Sequence, residues 1–253
     1  MLIQLPNGLL EGDTLYNYAQ IDELRGKQQN YLANRDLIMD NLGHVPKILQ
    51  DMLLTLETKE GKKWEGDIAK AIHLLPIGDL ETLMIRIREN TYGPKFFHDG
   101  KCSHCDKIVK NLRLDLDSLA LDAMSIEDLK KSKVVKLPKS NLDAELKPLY
   151  LEDLYKAIKI AKEGTSTVVT SSIAVSLKKL GDNSHVTPED IDNIPASDLV
   201  YLQEQLDEMK LEGSIDTNVE VLCPHCNQDF DMKLGVFDPL FFAPTKATKT
   251  TRT

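Results

Sequence analysis

Apolar residues recur at helical spacing along several stretches of the chain and alternate with polar ones in others. Residues 1–30 read as irregular or stranded, with turns marked by Pro6, Asn7, Gly8 and Gly12–Asp13, and a helix could begin within 22–32. Ile48, Leu49, Met52, Leu53 and Leu56 fall on one side of a helix over 46–56, with Pro46 in its first turn. ETKEGKKWEG (57–66) is a polar connection in which Trp64 reads as an anchor against the core. A short helix is expected over 67–75, stopping before Pro76. GDLETLMIRIREN (78–90) then buries Leu80, Leu83, Met84 and Ile87, with Asp79 as N-cap and Arg86 and Arg88 on polar faces. TYGPKFFHDG (91–100) ends that helix and brings in Tyr92, Phe96 and Phe97.

In the second half, SKVVKLPKSN (132–141) reads as a strand and a proline turn. LYLEDLYKAIKIAKEG (149–164) is a helix with Leu151, Leu154, Tyr155 and Ile158 inward, closed by Gly164. VVTSSIAVSLKKLGD (168–182) is read as another, although Val168 and Val169 weaken its propensity. Thr187-Pro188-Glu189-Asp190 is a helix start signal. A helix over 197–213 follows, with Ser197 as cap and Leu199, Leu202, Leu206 and Met209 as its seam. FDPLFF (237–242) either seals the core or plugs into a partner.

Composition changes this picture little. The chain has 253 residues, 42% hydrophobic and 28% charged, enough for a sizeable core and two domains. No apolar run is long enough to span a membrane. MLIQLPNGLLEGD lacks a basic stretch and a cleavage site, so a cytoplasmic origin is expected. The net charge of −9 argues against general nucleic-acid coating. Local basic clusters remain at Lys130, Lys131, Lys133, Lys136 and Lys139, and at Lys246, Lys249 and Arg252 in the tail; a solvated surface is the plainer reading of both.

The chemistry is in the cysteines. All four lie in two tetrapeptides, CSHC (102–105) and CPHC (223–226). A Cys-x-x-Cys turn points two thiolates at one ion, and zinc completes a closed structural site with four such ligands. Cys102, Cys105, Cys223 and Cys226 are therefore the expected zinc ligands, with none left over. CSHCDKIVKNLRLDLDSL (102–119) and CPHCNQDFDMKLGVFDPL (223–240) align without a gap, matching the histidines, Asp117 with Asp238 and Leu119 with Leu240. Each knuckle feeds an alternating, strand-like segment. Four thiolates already fill the tetrahedron, so His104 and His225 are expected outside it, and no position is left for a catalytic water. Phosphate-binding loops, dinucleotide fingerprints, HExxH and nucleophile elbows are missing from the sequence, so no catalytic residues are assigned.

These segments resemble the baseplate hub assembly proteins, also described as tail assembly chaperones, of T4-like contractile-tailed bacteriophages. The resemblance is carried by LPIGDLETLMIRIRENTYG (75–93) ahead of the first knuckle and VVKLPKSN (134–141). It continues through TPEDIDNIPASDLVYLQEQLDE (187–208), the second knuckle and FDPLFFAP (237–244), with a weaker match at LRGKQQNYLAN (24–34). It implies a noncatalytic protein of the tail baseplate hub, working through contacts with other hub and tail proteins within a symmetric assembly. It would be made in the host cytoplasm and either retained in the virion or used only during assembly. Cys102, Cys105, Cys223 and Cys226 carry over as its zinc ligands.

The expected fold is α+β, with mainly helical lobes joined by a split zinc ribbon of four cysteines. Its parts are a mainly helical region (1–100), a first knuckle (101–119), an inserted mixed, mainly helical domain (120–220), a second knuckle (221–244) and a flexible tail (245–253). The alternative function is a zinc-ribbon nucleic-acid-binding regulatory module, using the Lys130–Lys139 region.

Overall fold

The computed structural model describes residues 1–39, 42–121, 123–164 and 166–243. Pro244 and the whole of the expected flexible tail (245–253), with Lys246, Lys249 and Arg252, lie outside the described residues. In chain order, β1 (Leu2–Glu11) and β2 (Thr14–Ile21) form a hairpin, followed by α1 (Gly26–Ala33), α2 (Arg35–Met39) and α3 (His44–Met52). Then come β3 (Leu53–Glu57), α4 (Ile68–Leu74), α5 (Ile77–Tyr92), β4 (Lys95–Lys101) and β5 (Ile108–Asp115). After α6 (Ile126–Lys130) the chain continues through β6 (Lys133–Lys136), β7 (Asp143–Leu146), α7 (Leu151–Lys162), α8 (Val168–Val175) and β8 (Leu177–Leu180). It then forms α9 (Pro188–Asp192), α10 (Ala196–Leu211), β9 (Asn218–Leu222) and β10 (Asp229–Lys233). Helix and sheet are mixed rather than helix dominating.

The order of elements repeats. Two antiparallel sheets, β1-β2-β3 and β6-β7-β8, have the same strand order. Each is followed by a short helix (α4, α9), a 16-residue helix (α5, α10) and a two-stranded hairpin (β4-β5, β9-β10). The correspondence reaches single hydrogen bonds. Asp22 N–H donates to the Met52 carbonyl, and Lys147 N–H to that of Ser176, both at 2.9 Å.

The match also explains two departures from the expected helices. Helix 46–56 stops at Met52, and helix 168–182 stops at Val175; both continue as strands. A register shift lies between Gln20 and Ile21 where β2 pairs with β3, and between Glu145 and Leu146 where β7 pairs with β8. The bulge puts residues three apart on one face, so Leu53 with Leu56, and Leu177 with Leu180, are buried together. In sequence this spacing imitates a helical stripe.

A second repeated device fixes the long helices. Asp79 is not the N-cap: that position is Pro76, and Asp79 is buried inside the first turn of α5. Its Oδ1 and Oδ2 accept the backbone N–H groups of Asn7 and Gly8 at 2.8 Å. Asp198, in the first turn of α10, accepts those of Lys139 and Ser140 at 2.8 Å. Both acceptors follow Pro-x-x, and both donors follow Leu-Pro: Pro76-Ile77-Gly78-Asp79 with Leu5-Pro6, and Pro195-Ala196-Ser197-Asp198 with Leu137-Pro138. A proline turn at the first strand is thus tied to the helix N-terminus by a carboxylate, where a negative charge is also favoured by the helix dipole. Burial pushes the Asp79 carboxyl up to about 7, against the three N–H donors supplied by Asn7 and Gly8 that pull it down.

The larger core collects α3, α4, α5 and both two-stranded hairpins, and takes in Leu149, Leu151, Leu154 and Tyr155. The smaller one contains Val135, Leu137, Ala144, Leu177, Leu180 and Leu202, with Leu199, Leu206 and Met209 of the predicted seam against it. Trp64 packs against the larger core, as the anchor reading required. Asn7 crosses between the units, donating Nδ2–H to the Gly213 carbonyl at 2.7 Å. Gly78 meets the same carbonyl so closely that a Cβ there would lie 2.3 Å from it.

Asp79→Ala leaves two buried backbone N–H groups unpaired and is expected to cost about 2–4 kcal/mol, read by urea denaturation. Asp198→Ala should show a loss of the same sign. A change below about 0.5 kcal/mol in both would contradict the clamp.

Candidate metal centre

Each cysteine pair occupies the tip of one hairpin. Cys102 follows β4 and Cys105 precedes β5; Cys223 follows β9 and Cys226 precedes β10. The two tips have the same local build. Cys102 N–H donates to the Lys107 carbonyl and Asp106 N–H to that of Cys102, both at 3.0 Å. The equivalents, Cys223 to Gln228 and Asn227 to Cys223, are 2.9 and 2.8 Å. Asp106 (φ 58°) and Asn227 (φ 57°) take the left-handed conformation that closes each turn, which Asp and Asn tolerate better than other side chains.

The tips meet. Cys102 Sγ lies 3.7 Å from Cys226 Sγ, and Cys105 Sγ 3.7 Å from Cys223 Sγ. All four sulfurs fall within 4.8 Å of one another. These separations exceed a disulfide bond length of about 2.05 Å. Four thiolates at about 2.3 Å from one zinc ion would have edges of about 3.8 Å, so the donor set fits a tetrahedral soft-metal site. Cys102 and Cys223 are buried, Cys105 and Cys226 half-buried. Burial raises the Cys223 thiol, but the N–H groups of His225 and Cys226 bring it down to about 7; burial and its sulfur neighbours push Cys226 up to about 12. Four thiolates this close together would repel one another unless a cation sat among them.

His104 and His225 are exposed and outside the sulfur cluster. His104 has a separate task, its Nε2 lying 2.9 Å from the Asp229 carbonyl of the other hairpin. Gly100 keeps the hairpins close, since a Cβ there would be 2.9 Å from Leu112 Cδ1 and 3.0 Å from Met232 Sδ.

The segment FDPLFF turns toward the core. Phe241 and Phe242 are buried, and Leu240 is strongly exposed. Their anchor is Arg88, which sits fully buried rather than on a polar face. It donates Nε–H to the Phe241 carbonyl at 2.9 Å, and its guanidinium lies 4.7 Å from the Phe96 ring centre and 5.6 Å from that of Phe241. Arginine carries this burial because its planar, weakly hydrated cation stacks on aromatic faces while its N–H groups meet carbonyls. A helical-stripe reading cannot find this role, because Phe241 reaches Arg88 from far along the chain.

Three lysines of the 130–139 cluster are ion-paired. Lys130 pairs with Asp13, Lys131 with Asp128 and Lys133 with Glu212.

Deleting 237–253 removes two buried phenylalanines and the Arg88 acceptor. It is expected to destabilise the fold by more than about 3 kcal/mol. An unchanged urea midpoint would return FDPLFF to a purely external role.

No helix among the described residues is long and apolar enough to cross a membrane. No curated protein and no solved structure matches the chain significantly. A protein family described as T4 bacteriophage base plate protein matches residues 45–241, from α3 through both cysteine hairpins to Phe241. That span covers well over half of the sequence and includes all four cysteines, and the chain belongs to the T4 bacteriophage base plate protein family.

Proposed function

We propose that the protein is a noncatalytic, zinc-stabilised component or assembly factor of the baseplate hub, acting through contacts with other hub and tail proteins. The observation that carries this reading is the convergence of Cys102, Cys105, Cys223 and Cys226 from two hairpins far apart in sequence, within a baseplate family. Four thiolates satisfy zinc completely and leave no open position for substrate or activated water. Bound there, the ion would supply folding energy and a cross-link. The two hairpins would then act as one split ribbon, and the chain between them as an insertion held at both ends. Synthesis in the host cytoplasm and a place in the virion baseplate complete the reading.

Cys102→Ser and Cys223→Ser are each expected to abolish stoichiometric zinc and lower Tm by more than about 10 °C. Full metal content in either folded variant would mean that the two pairs do not share one ion. The hub role is tested separately, by electron microscopy of lysates from a phage lacking this protein. Missing or hubless baseplates are expected, and normal tails would exclude it.

A further inference from the structure

The two units share more than their order of elements, because contacts between them come in exchanged pairs. Cys102 Sγ faces Cys226 Sγ and Cys105 Sγ faces Cys223 Sγ, both at 3.7 Å. Exchanging 102 with 223 and 105 with 226 turns one contact into the other, as across the two-fold axis of a dimer.

The arms that follow the hairpins repeat this exchange. Each contains a 3-10 turn, Leu116–Ser118 after β5 and Pro239–Phe242 after β10. Extending the gapless match of 102–119 with 223–240 by two residues sets Ala120 and Leu121 opposite Phe241 and Phe242. Leu121 forms an antiparallel bridge with Ile215, which lies between α10 and β9 of the second unit. Phe241 lies against Phe96, at the start of β4 just after α5 of the first unit, with ring centres 5.0 Å apart. Each arm thus meets the opposite unit where its long helix passes into its hairpin. Ile215, Phe96, Phe241 and Phe242 are all buried there. Arg88 and His44 of the first unit add hydrogen bonds to the carbonyls of Phe241 and Phe237, both at 2.9 Å.

The chain that joins the units, 122–132, contributes far less. Its helix α6 buries no residue. Its ion pairs, Lys130 with Asp13 and Lys131 with Asp128, are exposed, and exposed pairs are worth about 0–1 kcal/mol. Met124 N–H donates to the Pro6 carbonyl at 2.8 Å and holds the connection against the first unit. Direct contacts between the units continue beyond the arms, with Ile77 N–H donating to the Leu149 carbonyl at 2.8 Å.

We infer that residues 1–121 and 133–243 hold each other as the two partners of a two-fold dimer, through the cysteine site and the exchanged arms, and that 122–132 is a tether. The partner that each unit fits is the other unit of the same chain. The metal's share in this interface rests on the zinc reading; the share of the arms does not.

The test cuts the tether in the folded full chain. A protease recognition sequence is inserted between Lys131 and Ser132, both exposed, and the protein is loaded with zinc before cutting. Native mass spectrometry is expected to find both pieces and one zinc in one particle, with a Kd below about 1 μM. The Tm of the cut protein should rise with concentration, whereas that of the uncut chain should not. Leu121→Asp and Phe241→Ala each strike one arm. Each is expected to leave the uncut chain folded by circular dichroism and to weaken the cut pair at least about tenfold. Leu121 is only half-buried, so its variant decides alone if Phe241→Ala does not fold. Pieces that separate or unfold on cutting overturn the inference, and zinc measured before the cut shows whether the metal site still stands. Affinity unchanged by the arm variants overturns it as well, because the exchanged arms would then not be the interface.

Discussion

Four thiols converging from two hairpin tips set the main constraint on this chain. A metal ion shared by Cys102/Cys105 and Cys223/Cys226 would close a loop that contains β6 to α10. The hairpins can meet only if both long helices deliver them to the same place. α5 leads into β4, and α10 leads toward β9, so each helix sets the position of one cysteine pair. The Gly78–Gly213 contact and the Asn7 hydrogen bond hold the start of α5 against the end of α10 from the other side. A side chain at Gly78 would wedge these helices apart and misplace the sulfurs.

Each unit solves its own folding problem in the same way. A three-stranded sheet with one apolar face must bury that face against another element, here a helix. The buried carboxylate of Asp79 or Asp198 ties that helix to the proline turn of the first strand, and at Asp79 it also satisfies two N–H groups that burial would otherwise leave unpaired. The units then diverge. The first is sealed by Phe241, Phe242 and Arg88, whereas the second leaves Val168 and Val169 open.

Local chemistry was legible in the sequence, and long-range chemistry was legible only where the two cysteine pairs announce it. The cysteine pairs, the Thr187 cap and the Leu202 seam depend on neighbours a few residues away, and their spacing revealed them. The strands β3 and β8 were hidden because a bulge copies the spacing of a helix. Asp79 looked like a cap because its true partners, Asn7 and Gly8, lie far upstream. Arg88 looked exposed because the carbonyl and rings that bury it come from Phe96 and Phe241. The repeat showed only between 102–119 and 223–240, where no loop length changes. Elsewhere the Leu5/Leu137 and Asp79/Asp198 pairs stand at different separations, so a gapless comparison passes over them.

The central claim is that one metal ion joins the two hairpins within a single chain. Native mass spectrometry of the reduced protein tests it most directly, since mass reports metal and oligomeric state together. One zinc per single chain is the expected result. Folded protein without zinc, or half a zinc per chain in a dimer, would contradict it.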